Sequence, residues 1–333
     1  MTASGGIHID PIVFDQRDHD VPTVTETATH RVTDSVGIET KEAERIITLL
    51  ETSGRYRVLR RLEARTHIHT PDSTPTRRGI FLDVETTGLD SATDEIIELA
   101  MLAFDYSTDG RICGIGASYD AFRDPGRPIP PAVTALTGIT DAMVASKSID
   151  VEEVSSFIGN ADLIVAHNAE FDRRFCERLT GVFTEKAWAC SYREVAWADE
   201  GFDSARLGHL AIGHGFFFDA HRALDDCRAG LEILSRPLPR SGRTALAALL
   251  LSARQPRWRL WATGAPFGKR GILKARGYRW HAGSDGRPKS WHVDVLEDAI
   301  ENERRFLRQE IYGHDVDVEA CAITAFDRYS TRC

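Results

Sequence analysis

The chain has 333 residues, of which 42% are hydrophobic, and carries a formal net charge of −9 at pH 7. This size suffices for a full globular core with smaller parts attached, and no run of about 18 apolar residues or basic, apolar leader occurs, so we expect a cytoplasmic protein without membrane contact. The six cysteines have no CxxC spacing, which argues against a zinc knuckle and a disulfide framework.

The N-terminal part of the chain predicts little compact structure. Residues 1–40 are rich in Thr, Asp and Val without a sustained period, so we expect a disordered tail. Residues 41–78 are expected to form a helical extension, broken near Ser53-Gly54, and then a linker. Five arginines lie between residues 55 and 65. We expect them to form a solvated helix face, which is commoner for such a charge run than the alternative of phosphate contact.

Residues 79–236 alternate between strands and helices. Strands are predicted at 79–84, 96–106, 111–122 and 161–166. Helical patterns follow at 171–179, 207–212 and 223–234. A meander of strands followed by strands alternating with helices predicts an α/β domain with a mixed central sheet flanked by helices.

Three further parts are predicted after this domain. Residues 237–256 are expected to be a linker helix, residues 257–295 a small basic, Trp-rich α+β module, and residues 296–333 a C-terminal helix and tail. The negative net charge conceals the basic character of the module, whose residues 257–289 contain nine Lys and Arg against the single acid Asp285. Because neutralising phosphates requires Lys and Arg, this segment indicates a nucleic-acid contact.

Within the module we predict a short helix ending at Gly277, then a strand pair that carries Trp280 and Trp291. Aromatic rings interleaved with cations suit a single-stranded nucleic acid, because bases stack on the rings while cations follow the phosphates. The alternative is that the tryptophans form the core of a small module with few other large apolar groups. The candidate contacts are Lys269, Arg270, Lys274, Arg276, Arg279, Trp280 and Trp291.

Acidic side chains follow three separate elements of the predicted domain. Asp83 and Glu85 end a buried strand two positions apart and therefore point to one face of the sheet. Asp172 lies in the first turns of a helix that follows a strand, at the edge where α/β domains assemble their sites. His221 and Asp226 are five positions apart and would diverge by about 140° on one helix. We therefore expect His221 in the loop before the helix and Asp226 within it.

Together, Asp83-x-Glu85-Thr-Thr-Gly, Asn168-x-x-x-Asp172 and His221-x-Ala-x-x-Asp226 resemble the three motifs of the DEDDh 3′-5′ exonucleases. The resemblance covers residues 79–236, and residues 127–140 are similar to the epsilon proofreading subunit of bacterial DNA polymerase III. It implies a ribonuclease H-like fold and a metal-dependent enzyme that removes nucleotides from the 3′ end of a nucleic acid, with single-stranded DNA favoured.

The resemblance also implies roles for individual residues. Asp83, Glu85 and Asp226 would hold one divalent ion, and Asp83 and Asp172 a second. Mg²⁺ or Mn²⁺ suits such oxygen ligands. His221 would be the general base, since histidine is the side chain whose protonation changes near neutral pH. Further substrate contacts are implied at Thr86, Thr87, Leu89, His167 and Asn168.

Several alternatives stay open at this point. Leu89 is either a contact for the terminal base or a core residue under its loop. His167 and Asn168 are expected to orient their motif and not to perform chemistry. An RNA-trimming exoribonuclease of the ribonuclease T or oligoribonuclease type would use the same motifs, since only contacts to the 2′-hydroxyl distinguish the two sugars. A non-catalytic nucleic-acid-binding protein would not need all four acids and the histidine.

Overall fold

The computed structural model describes residues 40–283 and 287–332. The tail expected over 1–40 lies outside the described residues apart from Thr40, where helix α1 (Thr40–Thr52) begins. The chain divides into two units, Met1–Arg55, which contains α1, and Tyr56–Cys333, which contains every other described element. Among the described helices, none combines the length and the apolar character that crossing a bilayer requires.

The second unit contains strands and helices in alternation. Its strands are β1 (Arg60–Arg61), β2 (Thr76–Thr86), β3 (Ile96–Ser107), β4 (Ile112–Phe122), β5 (Leu163–Ala166), β6 (Trp188–Cys190), β7 (Phe216–Phe217), β8 (Arg257–Ala262), β9 (Arg279–His281), β10 (Ser290–Leu296) and β11 (Ala320–Ile323). Its α-helices are α2 (Pro131–Thr137), α3 (Asp141–Val144), α4 (Val151–Ile158), α5 (Ala169–Leu179), α6 (Leu207–Gly213), α7 (Ala223–Ser235), α8 (Ala245–Ala253), α9 (Arg270–Ala275) and α10 (Ile300–Phe306). Short 3₁₀ turns occupy Gly181–Glu185, Phe267–Lys269 and Glu297–Ala299, and α10 continues as a π-helical segment, Leu307–Tyr312.

The larger sheet of the described residues has five strands in the order β4-β3-β2-β5-β6. The pairs β2–β3 and β3–β4 are antiparallel, whereas β2–β5 and β5–β6 are parallel. Helices pack on both faces, which explains why β2 and β3 are apolar over most of their length. This is the mixed central sheet flanked by helices that the sequence predicts, and that prediction is confirmed.

Side chains of β2 alternate between two hydrophobic layers. Phe81 packs in the layer that contains α7 and α8, while Ile80 and Leu82 pack in the layer that contains α4 and α5. Helix α7 lies directly on β2 at Gly230, where an added Cβ would stand 2.1 Å from the Phe81 ring. Because only glycine allows this approach, it brings the first turn of α7, with Asp226, to the end of β2.

The C-terminal residues form a second sheet in the order β11-β8-β10-β9. Strand β10 is antiparallel to both of its neighbours, and Trp291 on β10 lies opposite Trp280 on β9. Buried leucines, among them Leu260, Leu273 and Leu307, form its core. The predicted strand pair is therefore present. Strand β8 is not among the predicted elements, and β11 forms where a C-terminal tail is expected. Both extend this sheet, β11 as far as residue 323.

The prediction of a helix between Ser53-Gly54 and residue 65 is wrong. This segment is extended, and its two-residue strand β1 runs parallel to β7. The guanidinium group of Arg57 donates to the carbonyl groups of Ile212 and Gly213, both at 2.7 Å. These tertiary hydrogen bonds at the end of α6 outweigh the weak helical spacing of a short apolar pattern.

The expected linker helix and C-terminal tail are also corrected by the structure. Helix α8 is a core element, since Leu246 and Leu249 are fully buried beside α7. The chain after α10 folds back onto the larger sheet, where the Ala325 carbonyl accepts from the Trp188 amide at 2.8 Å. The buried guanidinium group of Arg328 donates to the Ala253 carbonyl at 2.9 Å and pairs with Glu194. The C-terminal residues therefore hold the two sheets together.

Candidate active site

Two carboxylates lie near the end of β2 on the same face. Asp83 and Glu85 alternate with Leu82 and Val84, which pack in the opposite layer, so both acids point toward α7. Glu98 on β3 is directly opposite Glu85, and the register of the two strands shifts just after this pair. Three acids thus meet at one end of an otherwise apolar strand pair.

Helix α7 supplies a further carboxylate to the same place. Asp226 lies in its first turn, and carboxylate oxygens of Asp83, Glu85 and Asp226 lie within 4.8 Å of one another. The main-chain N–H of His221 donates to Asp226 Oδ2 at 2.8 Å, which ties the preceding loop to this helix. Residues far apart in the sequence therefore form a compact acidic site.

Asp172 on α5 approaches the same strand from the other side. Its Oδ1 accepts from the Val84 amide at 3.3 Å. Its Oδ2 is buried and has no hydrogen-bond partner within residues 40–283 and 287–332. A buried carboxylate oxygen without a partner is costly, and a cation is the ligand that would satisfy it. We refer to Asp83, Glu85, Asp172 and Asp226 as the carboxylate cluster.

Burial raises the pKa of every carboxyl group in this cluster. For Asp83, burial raises the pKa well above its usual range, and the neighbouring Asp226 carboxylate raises it further. Burial also raises the pKa of Glu85 to about 8, of Asp172 to about 8 and of Asp226 to about 7. Acids in such surroundings ionise at neutral pH only beside a positive charge, and hard divalent cations prefer oxygen ligands. The donor set therefore fits divalent metal ions.

His221 stands in the loop before α7, as its spacing from Asp226 predicts. Its φ of 66° is a left-handed conformation that residues other than glycine rarely adopt. The side chain is exposed to solvent, while the main chain is held by Asp226. Among the described residues, no hydrogen bond holds the imidazole, so it can turn toward the carboxylate cluster without a change in the fold.

Glu98 is a site residue that the sequence interpretation missed. Its side chain is fully buried, yet its carboxylate accepts from the Arg222 guanidinium group at 2.8 Å and from the Ala223 amide at 3.1 Å. It therefore anchors the N-terminus of α7 between His221 and Asp226. The available signal was an acid within the apolar run of β3, since a buried charge requires a partner.

The loop after β2 carries the residues predicted to meet a terminal nucleotide. Leu89 is 87% exposed, so the alternative that it is a core residue is wrong. The hydroxyl groups of Thr86 and Thr87 form hydrogen bonds within this part of the protein. The Thr87 amide donates to the Glu95 carbonyl at 2.9 Å, which leaves it unavailable to a sugar. A sugar contact of other backbone groups here stays a prediction.

His167 and Asn168 form the turn from β5 into α5. The Nε2–H of His167 donates to the Ala205 carbonyl at 2.9 Å, so its Nδ1 accepts from the Ser191 hydroxyl at 2.9 Å. Burial lowers the pKa of His167 to about 4. Asn168 has a φ of 79°, a conformation that asparagine tolerates better than most residues. Both side chains thus have structural reasons to occupy this turn.

The basic and aromatic residues of the second sheet fall into separate groups. Arg279 and Trp280 line a cavity against α5. Arg276 does not extend freely, because its guanidinium group pairs with Glu303 at 2.9 Å and lies 3.9 Å from the Phe306 ring centroid. Trp291 is partly buried in the core of this sheet. Lys269, Arg270 and Lys274 lie at or next to α9 and do not line that cavity.

Comparison with known proteins places the chain in a family. A family model described as Exonuclease matches residues 80–234. The chain is 32% identical over 162 residues to the DNA polymerase III subunit epsilon of Treponema pallidum, covering 46% of this chain and 73% of that protein. It is 33% identical over 167 residues to the PolC-type DNA polymerase III of Thermotoga petrophila, covering 47% of this chain and 12% of that protein.

Among solved structures, exonuclease X in complex with 5′ overhanging duplex DNA is similar, with 28% identity and a TM-score of 0.38 over 52% of this chain and 99% of that chain. The chain belongs to the DEDD exonuclease family. Within that family, its matched segment is similar to the epsilon subunit and to the PolC-type polymerase, although it spans only 12% of the latter.

Proposed function

We propose that the chain is a 3′-5′ exonuclease that removes nucleoside monophosphates from the 3′ end of DNA by metal-dependent hydrolysis. The observation that carries this proposal is the carboxylate cluster, in which three carboxylates lie within 4.8 Å and a fourth keeps a buried oxygen without a partner in the described residues. Such a cluster is unfavourable in a merely structural site, because burial and the neighbouring carboxyl groups oppose the ionisation of each acid.

Mg²⁺ or Mn²⁺ is the cofactor that this donor set suits best. Asp83, Glu85 and Asp226 would hold one ion, and Asp83 together with Asp172 a second. When bound, two such ions supply positive charge to the attacking and leaving oxygens of an in-line displacement at phosphorus.

The side chains around the cluster perform the remaining tasks. An imidazole nitrogen of His221 accepts the proton of the attacking water. The water oxygen bonds to phosphorus while the bond from phosphorus to the preceding 3′ oxygen breaks, which releases a nucleoside 5′-monophosphate. The leaving 3′ oxygen keeps the electron pair and takes up a proton from solvent water, which leaves a new 3′ hydroxyl. The exposed Leu89 packs on the terminal base. Glu98 positions His221 and Asp226 through Arg222 and the first amide of α7.

DNA is the favoured substrate because the curated relatives named above are DNA polymerase III proteins. A polymerase partner is not part of the proposal. The described cysteines, Cys113, Cys176, Cys190, Cys227 and Cys321, are free thiols, which agrees with the predicted cytoplasmic location.

Digestion of end-labelled oligonucleotides tests the proposal. With Mg²⁺, a 3′ label on single-stranded DNA should be released as mononucleotide, and a 5′ label should remain on products that become shorter. A chelator should stop the release and the shortening. Asp83→Asn should lower kcat by about 10³-fold, the upper end of the usual loss when one electrostatic stabiliser of the transition state is removed. Asp225→Asn is the matched control, because Asp225 is half-exposed and pairs with Arg228 at 2.8 Å outside the cluster.

Full activity of Asp83→Asn, or digestion that persists with chelator, would contradict the proposal. The same assay with RNA of equal sequence separates the two substrate classes. Faster digestion of RNA than of DNA would replace DNA as the substrate and leave the metal-dependent hydrolysis in place.

A further inference from the structure

A cavity of about 650 Å³ lies between helix α5 and the second sheet. We call it the arginine cleft, and its walls include Glu170, Arg174, Arg193, Arg257, Arg279 and Trp280. Its full lining contains six arginines against three acids, an excess of three positive charges. A concave surface with such an excess attracts an anion, although the whole chain is acidic.

One carboxylate in the arginine cleft is shared by three guanidinium groups. Glu170 lies 2.8 Å from Arg174, 2.6 Å from Arg193 and 3.5 Å from Arg279. A single negative charge balances only one of these cations, and Asp294, which pairs with Arg279 at 3.3 Å, also pairs with Arg259 at 2.6 Å. A phosphate group offers further acceptor oxygens that fit the planar fork of arginine.

Three arginines of the cleft also keep donors without a partner. The Nε atoms of Arg174, Arg257 and Arg328 are buried and have no hydrogen-bond partner in the part of the chain that the structure describes. An unsatisfied buried donor is costly, and such atoms are expected where a ligand or ordered water completes the site. All of these arginines line the arginine cleft, so an anionic ligand bound there can satisfy their donors.

Trp280 supplies an aromatic surface at the same cleft. Its side chain is 53% exposed, and its ring contacts Trp291 edge-on, with ring centroids 5.5 Å apart. A fixed, exposed indole is a stacking platform for a nucleic-acid base. Stacking requires a base that is not paired in a duplex, so this platform favours a single strand.

The cleft is continuous with the predicted position of the terminal nucleotide. A second cavity of about 260 Å³ is lined by Leu89 and Asn168, and it shares Glu170, Arg174 and Arg193 with the arginine cleft. A strand whose last base packs on Leu89 therefore has a path along α5 into the cleft. Nucleotides on the 5′ side of the bond that is cut would lie along this path.

We propose that the arginine cleft binds the single-stranded polynucleotide on the 5′ side of the scissile bond, with phosphates at Arg174, Arg193 and Arg279 and a base on Trp280. The direction of the strand rests on the proposed function. Substrates long enough to reach Trp280 then bind more tightly than a dinucleotide, which is too short to place a base on this ring.

The experiment compares a dinucleotide with a single strand of about 12 nucleotides, a length within the usual range of such grooves. For the longer strand, Trp280→Ala should raise KM about tenfold, the typical effect of one lost base stack, and Trp280→Phe should restore most of it. Arg193→Ala should raise the same KM and should lower the salt dependence by about 0.7 in log–log slope, as for one lost phosphate contact.

Phe267→Ala and Arg305→Ala, the latter on an exposed position of α10, are the matched controls. Phe267 is 77% exposed in the same part of the chain, and neither residue lines the cleft. Neither change should alter the ratio of the two KM values. An unchanged long-strand KM in Trp280→Ala, or an equal loss in both controls, would overturn the proposal, whichever of DNA and RNA is used.

Fluorescence anisotropy of the longer strand with chelator gives a second readout that needs no catalysis. Here Trp280→Ala should weaken binding about tenfold. If wild type digests neither substrate but the anisotropy difference persists, the nuclease proposal fails and the cleft proposal stands. If digestion occurs but Trp280→Ala binds as wild type does, the cleft proposal alone fails.

Discussion

Helix α5 contributes to two regions of opposite charge, since it carries Asp172 at the carboxylate cluster and Glu170 and Arg174 at the arginine cleft. In the cluster, the excess is negative, carboxyl pKa values are raised, and the Oδ2 of Asp172 has no partner in the described residues. In the cleft, the excess is positive and buried Nε donors lack partners there. Each region is complementary to a part of the proposed reaction, the cluster to cations and the cleft to phosphate. The net charge of −9 is therefore a poor guide to polyanion binding by this chain, because the local charge differs between the two regions.

Among the changes that compare the two regions, the largest effect is expected for one that slows hydrolysis and leaves strand binding intact. His221→Asn should lower kcat by about 10²-fold, the lower end of the usual loss of a general base. Asparagine is chosen because it tolerates the φ of 66° at this position. Affinity for a single strand with chelator should equal that of wild type. A parallel loss of affinity and kcat would show that the two regions do not act independently.

Metal binding should stabilise the cluster in a pH-dependent way. The raised pKa values of Glu85 and Asp226, about 8 and about 7, mean that the metal-free folded protein holds protons that the unfolded chain, with carboxyl pKa values of about 4, releases. This stability is present below about pH 4 and is lost as the pH rises through about 7 to 8. Mg²⁺ binds the deprotonated carboxylates, so it should raise Tm by a few degrees at about pH 9 and by less at about pH 6.

The measurement is the gain in Tm on adding Mg²⁺ at each pH, not Tm itself. Burial lowers the pKa of His167 and His214 to about 4, and their contribution to stability is lost as the pH falls. That opposite trend is the same with and without metal. An equal gain in Tm at both pH values would contradict the raised pKa values of the cluster. An oligonucleotide added without metal should raise Tm through the cleft alone.

The smallest expected effect is a gain in affinity, which comes from removing a negative charge from the arginine cleft. Glu170→Gln removes the carboxylate shared by three guanidinium groups, so single-strand affinity with chelator should rise about threefold, as for one unit charge a few ångströms away in water. Glu152→Gln on the exposed face of α4 is the control and should change nothing. Weaker binding by Glu170→Gln would show that Glu170 orients the arginines instead of competing with phosphate.

Much of the larger sheet could be predicted because its strands are long and apolar. The hairpin of β3 and β4 and the helices α5 and α7 follow from local pattern, and so does the loop position of His221. Segment 55–65 and β11 could not be predicted, since their structure comes from backbone pairing with distant strands. Such pairing leaves no periodic trace in a short segment.

The amino-acid sequence by itself determined the order and spacing of the acidic motifs, because these depend on residue identity and on which element each motif ends or begins. The tertiary structure decided that Glu98 anchors α7 and that Glu170, Arg193 and Arg279 meet in one cleft. It also decided that Arg276 is paired with Glu303 while Trp280 is exposed. Charged side chains that are far apart in the chain form ion pairs, or a region of excess charge, only when packing brings them together. The reason is that electrostatic interaction depends on distance and burial and not on sequence separation.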